Sequence, residues 1–330
     1  MGVPLEPKST LAGDDPVDAV VEIYRAFARR EAHGRSAAYE SLAESVAGNA
    51  AIVQFVASLP PDKWQPNLLF AAARYLLGVP AGIGQLHELV SQSRAELTDV
   101  MLTRRTQTNE PARCAMLLPA LAQLPEPLAL IEAGASAGLT LLFDRYSYDY
   151  AGHQLAGSDP HGPTFRCETR GPVPLPSRIP TIAWRAGLDL NPLDVTNDDD
   201  VRWLSCLVWP GESDREQRLA AAIASARRDP PAVYRGDLLT DLPALAAHAP
   251  AGATLVIYHC SVLYQVAPAA RAQFASTVRD LADVWLSNEA PGILAGTAGP
   301  AIDDQMCVLA RDGDVIALAD GHGAWLKWLP

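Results

Sequence analysis

Through the first 124 residues, apolar positions recur at intervals of three and four, the period of a helix with one buried face. Asp15-Pro16 reads as an N-cap followed by proline at the first helical position, and Val20, Ile23, Tyr24 and Phe27 then line one stripe. Further helical stretches are predicted near 36–47, 49–59, 66–77 and 84–106; Gly78 and Pro80 stop the one over 66–77. A last one runs over 111–124. No period-2 apolar run interrupts them, so residues 1–125 are expected to form an all-helical N-terminal domain.

The pattern changes at 127. Leu128-Ala129-Leu130-Ile131 is a short apolar strand running into a Gly-rich turn and then the helical Leu139–Phe143. Tyr146, Tyr148 and Tyr150 alternate with polar residues, turn at Ala151-Gly152 and return through Leu155, a hairpin signal. A Pro/Gly-rich stretch over 158–180 reads as loop. Strands are expected from Ile182, around Ala232–Arg235, from Ala253 to Tyr258 and over Val284–Ser287. Helical patterns over 199–227 and 268–284 alternate with them, and the chain closes on apolar segments at 306–310, 315–318 and 324–329. Strand–helix alternation implies a mostly parallel sheet with crossover helices. The expected architecture is therefore α/β and Rossmann-like over 126–330, with a hairpin insertion around 146–180.

Charge and cysteine usage narrow the function classes. A net charge of −12, with no offsetting Arg/Lys cluster, argues against nucleic acid and leaves a small molecule as the default partner. The five cysteines are far apart and show no metal-ligand spacing, which reads as free thiols in a reducing compartment. The first residues lack the apolar stretch of a signal peptide, and no apolar run is long enough to span a membrane. The expected location is the cytoplasm, with no metal.

Candidate chemistry clusters at the ends of the predicted strands. Glu132-Ala-Gly134-Ala-Ser136-Ala-Gly138 between a strand and a helix would aim backbone N–H groups at a bound ligand, with Glu132 suited to a polar cofactor group. In a doubly wound sheet the next strand should end in an acid that meets ribose hydroxyls. Asp189 fits that position, and Gly236-Asp237 would present a polar group to the base. If the tyrosine hairpin were instead the second strand, Asp149 would replace Asp189. The same glycine loop also spells G-x-S-x-G, the nucleophile elbow of serine hydrolases, with Glu289, Asp304 and His322 following in the order acid then histidine. Against the hydrolase stands the helical pattern before the loop, because that fold needs several strands first.

Three further groups stand out. Gln107, Asn109 and Glu110 precede a helix that carries Arg113; Asn109 and Glu110 are either cap residues or a substrate-binding and acid/base set. Tyr258-His259-Cys-Ser261-Val-Leu-Tyr264 closes the fourth strand, where open α/β sheets hold reacting groups, and His259 could serve as general base. Glu289 holds the same position after the fifth strand, and His322 lies between two glycines.

Taken together, QTNEPARC (107–114), EAGASAGLTLLFDRY (132–146), RAGLDLNPLDV (185–195), RWLSCLVWP (202–210), RGDLL (235–239), YHCSVLY (258–264) and GHGAWLKWL (321–329) resemble a bacterial family catalogued as domain of unknown function 2332. The resemblance spans nearly the whole chain. It implies a helical N-terminal region on a core like that of class I S-adenosylmethionine methyltransferases. It also implies kinship with subunits that close aziridine rings in natural-product pathways by amine displacement of sulfate, together with a small partner protein.

The leading expectation is thus a methyltransferase-like enzyme of small-molecule metabolism. S-adenosylmethionine would lie over Glu132, Gly134, Ser136 and Gly138, with Asp189 on ribose and Asp237 near adenine. Glu110, His259 and Glu289 are the candidate catalytic residues. Gln107, Asn109, Arg113, Arg185, Ser261, Tyr264 and His322 are the candidate substrate contacts. The alternative is cofactor-free ring closure, with a carboxylate such as Glu110 or Glu132 holding and deprotonating the amine and Arg113, Arg185, His259 or the loop amides receiving sulfate. A hydrolase using Ser136 and a non-catalytic subunit rank below both.

Overall fold

A computed structural model of the chain describes residues 15–297 and 306–330. Asp304 lies outside them. The chain forms two compact units, one of residues up to Thr108 together with Arg202–Glu216, the other of Asn109–Val201 together with Gln217–Pro330. The division therefore falls at 109 rather than at the expected 125, and a segment from the second half of the chain belongs with the helices.

The helical unit follows the predicted stripes. α1 (Pro16–Phe27) starts where Asp15 accepts the Val17 N–H at 3.0 Å. α2 (Ala37–Ala47) is capped by Ser36 and α3 (Ala50–Ala57) by Asn49. α4 (Pro66–Leu77) follows. The expected helix over 84–106 is two, α5 (Ile83–Gln92) and α6 (Arg94–Thr103), because Ser93 leaves helical geometry at φ −122°, ψ 33°. The stripe of α1 buries Val20, Tyr24 and Phe27. Tyr24 and Tyr39 meet the Phe70 ring at 5.9 and 4.9 Å. Trp209, from the late segment, packs on Phe27 at 5.3 Å, with the Arg35 guanidinium 4.4 Å over its ring. Arg35 also pairs with Glu212 at 2.9 Å. These aromatic and charged contacts tie 202–216 into the helical core.

The second unit begins with α7 (Cys114–Leu121), buried throughout, and then β1 (Leu128–Ala133). β2 (Ser147–Tyr150), β3 (His153–Leu155) and β4 (Thr164–Arg166) make a small separate sheet in which β3 and β4 flank β2. The tyrosine hairpin is accordingly an insertion. The Pro/Gly-rich stretch is not all loop, since β4 and β5 (Glu168–Arg170) lie within it. β6 (Ile182–Asp189) follows, then α8 (Asp198–Cys206) and α9 (Ser213–Arg228), which divide the expected helical run over 199–227. The remainder is β7 (Val233–Arg235), α10 (Leu242–Ala246), β8 (Thr254–Cys260), α11 (Pro268–Leu281), β9 (Val284–Glu289), β10 (Met306–Arg311), β11 (Asp314–Asp320) and β12 (Trp325–Trp328).

Nine strands form the main sheet in the order β5-β12-β11-β10-β9-β8-β1-β6-β7. From β9 to β7 every pairing is parallel, and β10, β11 and β12 continue as an antiparallel meander. This is a Rossmann-like α/β sheet. β1 is the first strand in sequence and lies at the middle of the five parallel strands, with β6 on one side and β8 on the other. The chain order reverses at that point, where open sheets bind ligands beyond the strands' carboxyl ends. All six residues of β1 are buried, as a strand covered on both faces requires. Ile131, Ala133 and Ile257 pack with Leu242, Phe274 and Trp285 on one face. Alternation places Glu132, Tyr258 and Cys260 on the other. Among the described residues no helix is long and apolar enough to cross a membrane.

Candidate active site

The glycine loop leaves β1 at Gly134, whose φ of +76° belongs to the left-handed region. A Cβ there would also collide with the Val262 side chain. At Gly138, φ +70°, a Cβ would stand 2.8 Å from both Pro231 and Val233. The glycines therefore let the chain's own side chains pack on the loop. Its amides are bonded within the chain. Gly134 N–H donates to Leu188 O at 2.8 Å, Ala135 N–H to the same oxygen at 3.2 Å, and Gly138 N–H to Ala135 O at 2.7 Å. Ser136 N–H donates to Asp189 Oδ2 at 2.8 Å, and Leu139 N–H to Asn109 Oδ1 at 2.8 Å.

Three expectations change here. Leu139–Arg145 is a 3-10 segment kinked at Leu142, so no α-helix dipole stands behind the loop. Asp189 holds the amides of Ser136 and, at 2.7 Å, Asn191 through its two oxygens. Asp237 accepts the Leu239 N–H at 2.8 Å and shapes a turn after the edge strand β7. With these five donors occupied and Val262 against Gly134, the loop as folded leaves little backbone to receive S-adenosylmethionine. The hydrolase elbow loses its context as well, because among the described residues no strand precedes β1 and the element directly after Ser136 is the 3-10 segment rather than an α-helix.

Chemistry concentrates instead on the Glu132 face. Glu132 is 2% exposed; one oxygen accepts the Thr140 hydroxyl and Oε2 has no hydrogen-bond partner. Burial pushes its carboxyl up from the ordinary 4.5 to about 8, with Thr140 and Arg113 pulling the other way. Tyr258, its register neighbour on β8, lies near enough to act on this carboxyl but forms no well-shaped hydrogen bond. Arg113, 3% exposed, donates from Nε to Gly321 O at 3.0 Å and from Nη1 to Cys260 O at 3.3 Å, while Nη2 is unpartnered. At Gly323 the Gly321–Gly323 turn comes so close to the Ala112 backbone that a Cβ would clash. Segments read separately in the sequence thus meet around Arg113 at the carboxyl edge of β1 and β8.

The remaining candidates divide. Glu110 accepts the Ala112 N–H at 3.2 Å, capping a short 3-10 turn (Pro111–Arg113), and lies 3.6 Å from Arg218. Asn109 ties down Leu139. Gln107 belongs to the helical unit. Arg185 lies mid-strand opposite Leu130 and is held by Asp144 through two bonds of 2.6 and 2.7 Å, so it is structural. His259 and Glu289, read as separate candidates, are a pair: Nδ1 meets Oε1 at 2.8 Å, and that oxygen also accepts Val262 and Leu263 N–H. His259 is fully buried against Phe274 and Trp285, on the face opposite Glu132. Ser261 holds φ +53° and donates its N–H to Asn288 O at 2.9 Å. With Ser136 at φ +52°, two serines in a conformation unfavourable for non-glycine residues end the neighbouring strands β1 and β8. Tyr264 O accepts from Arg271 at 3.3 Å, and His322 N–H donates to Asp320 at 2.9 Å.

Sequence reading passed over Thr140, Tyr258 and Asn288. Period-2 alternation was the available signal, because it sets Tyr258 beside Glu132 and turns Asn288 away from Glu289.

Residues 78–328 match the model of a family described as an uncharacterized protein conserved in bacteria (DUF2332). The chain belongs to this family. The match covers the sheet unit as far as residue 328, so Arg113, Glu132 and Tyr258 all lie within the family's domain. No curated protein and no solved structure matches the chain.

Proposed function

We propose that the protein is an enzyme of small-molecule chemistry that promotes nucleophilic displacement at carbon without S-adenosylmethionine, with Glu132 as proton acceptor. One observation carries the reading: a fully buried carboxyl, raised to about 8, at the point where the order of the sheet reverses. Perturbed carboxyls in such positions are candidates for acid–base work, and a base is most effective when it titrates near the working pH. The adjacent guanidinium of Arg113 supplies a positive field for a departing oxyanion. The resemblance to aziridine-forming subunits agrees with this set. In that reaction the amine lone pair forms the new N–C bond as the C–O bond breaks. The electron pair leaves with sulfate, and the ring nitrogen's proton passes to the Glu132 carboxylate. Orientation of amine and leaving group would supply most of the rate.

The test uses 2-aminoethyl hydrogen sulfate and follows sulfate release. Release should rise with pH through about 8, as Glu132 loses its proton, and should fall at least about a hundredfold in Glu132→Gln. Calorimetric titration with S-adenosylmethionine should give no heat. Absence of sulfate release, or full release in Glu132→Gln, rejects the reading; micromolar S-adenosylmethionine binding restores the methyltransferase in its place.

A further inference from the structure

We propose that Arg113 seats a small ligand carrying an anionic oxygen group beside a lactam-like donor–acceptor pair, and that Asn288 reads the pair. This rests on the reading that the carboxyl edge of β1 and β8 is the substrate site, and names what that site recognises.

The first ground is charge. Arg113 is nearly fully buried, and its hydrogen-bond partners are two neutral carbonyl oxygens. The carboxyl that acts on it, Glu132, is mostly protonated at pH 7. A buried guanidinium without an ionised partner is a costly arrangement, and an anion at Nη2 would relieve it.

The second ground is a concentration of unpartnered polar atoms. Folded proteins leave only a few per hundred residues. Here Arg113 Nη2, Glu132 Oε2, Tyr258 Oη, Asn288 Oδ1 and Asn288 Nδ2 all lack partners, and none of these four residues exceeds 3% exposure. Register fixes where Asn288 stands. It faces Cys260 on β8 and Leu309 on β10, and it points to the Glu132 face because its neighbour Glu289 meets His259 on the other. Arg113 Nη1 meets the Cys260 carbonyl at 3.3 Å, and Cys260 is the register partner of Asn288. The guanidinium therefore stands at the residue beside Asn288, whose amide presents a free donor and a free acceptor together.

Adjacent strands lie about 4.8 Å apart, so a carboxylate at Arg113 and an amide at Asn288 are separated by one or two atoms in the ligand. The ligand C=O accepts from Nδ2 and its N–H donates to Oδ1. Both bonds at once need the C=O and N–H on one side, as in a lactam, because an open-chain secondary amide holds them trans. Pyroglutamate, whose carboxylate stands one carbon from the ring N–H, has this pattern and serves as the probe. N-methylpyroglutamate lacks the N–H, while acetate and inorganic sulfate carry the anion alone.

Ligand-observed NMR titration reads the outcome. Pyroglutamate should bind at least about tenfold more tightly than N-methylpyroglutamate, acetate or sulfate. Asn288→Leu should abolish that preference while leaving the melting temperature unchanged or higher, because it removes a buried amide that bonds nothing in the chain. A structural asparagine would instead lose stability. The titration needs no turnover, so a failure of the proton-acceptor role in sulfate release is visible separately from a failure of the seat. Equal binding of pyroglutamate and N-methylpyroglutamate, or a clear fall in melting temperature in Asn288→Leu, overturns the proposal.

Discussion

Glu132 has a consequence for stability that can be measured without any substrate. Its carboxyl titrates near 4.5 when the chain is unfolded and near 8 when folded. Between those values the folded state holds a proton that the unfolded state has released, so stability falls as pH rises through this window and levels off above 8. One pKa unit corresponds to about 1.4 kcal/mol, which makes the accumulated penalty several kcal/mol above pH 8. Glu132→Gln keeps the shape and removes the titration. Urea unfolding of this variant should show a flatter pH profile from 5 to 8.5, with its largest gain over wild type at the alkaline end. A profile parallel to wild type would mean that Glu132 is ionised in the folded protein, and the proton-acceptor role would go with it.

At the scale of elements, the glycine loop and its supports decide how the edge is shaped. Gly134→Ala would force a Cβ into Val262 at a left-handed φ. The backbone term is about 1–2 kcal/mol and the overpacking term about 1–3 kcal/mol, so chemical denaturation should register a loss of roughly 2–5 kcal/mol. A loss below about 1 kcal/mol would show that Val262 swings aside, and with it that the space over the loop can open to a cofactor. Most elements of the sheet unit were legible, because β1, β6 and β8 are apolar runs bounded by turns and α11 has a helical stripe. The glycine loop misled for a physical reason. Its spacing signals a backbone that something approaches closely, yet spacing does not say whether that partner is a cofactor or Val262. Asp189 was placed correctly at a strand end, but its hydrogen bonds to Ser136 and Asn191 are local geometry that no pattern reports. Asn288 could be read from alternation alone, whereas Arg113 needed the register of β8, β9 and β10 to gain its meaning.

At the scale of the whole molecule, the chain completes its helical unit with residues from far downstream. Trp209 packs on Phe27 and Tyr39, and Arg74 pairs with Glu216 at 2.6 Å. Trp209→Ala should therefore destabilise the helical unit by about 3–5 kcal/mol, the range for a large buried aromatic. Cys206 offers the readout, since it is buried in this unit while Cys114, Cys167, Cys260 and Cys307 are buried in the other. Alkylation of Cys206 should accelerate in the variant well ahead of the other four thiols, and uniform acceleration would show that the two units open together. The same threading sets a timetable for synthesis. Thr108 emerges from the ribosome roughly a hundred residues before Glu216. At about 5–20 residues per second that is an interval on the order of 5–20 s. Throughout it, Phe27 and Tyr39 lack the tryptophan that packs on them. The nascent helices are thus exposed to chaperones and proteases for a period set by translation speed, and codon choice between 109 and 216 becomes a determinant of yield.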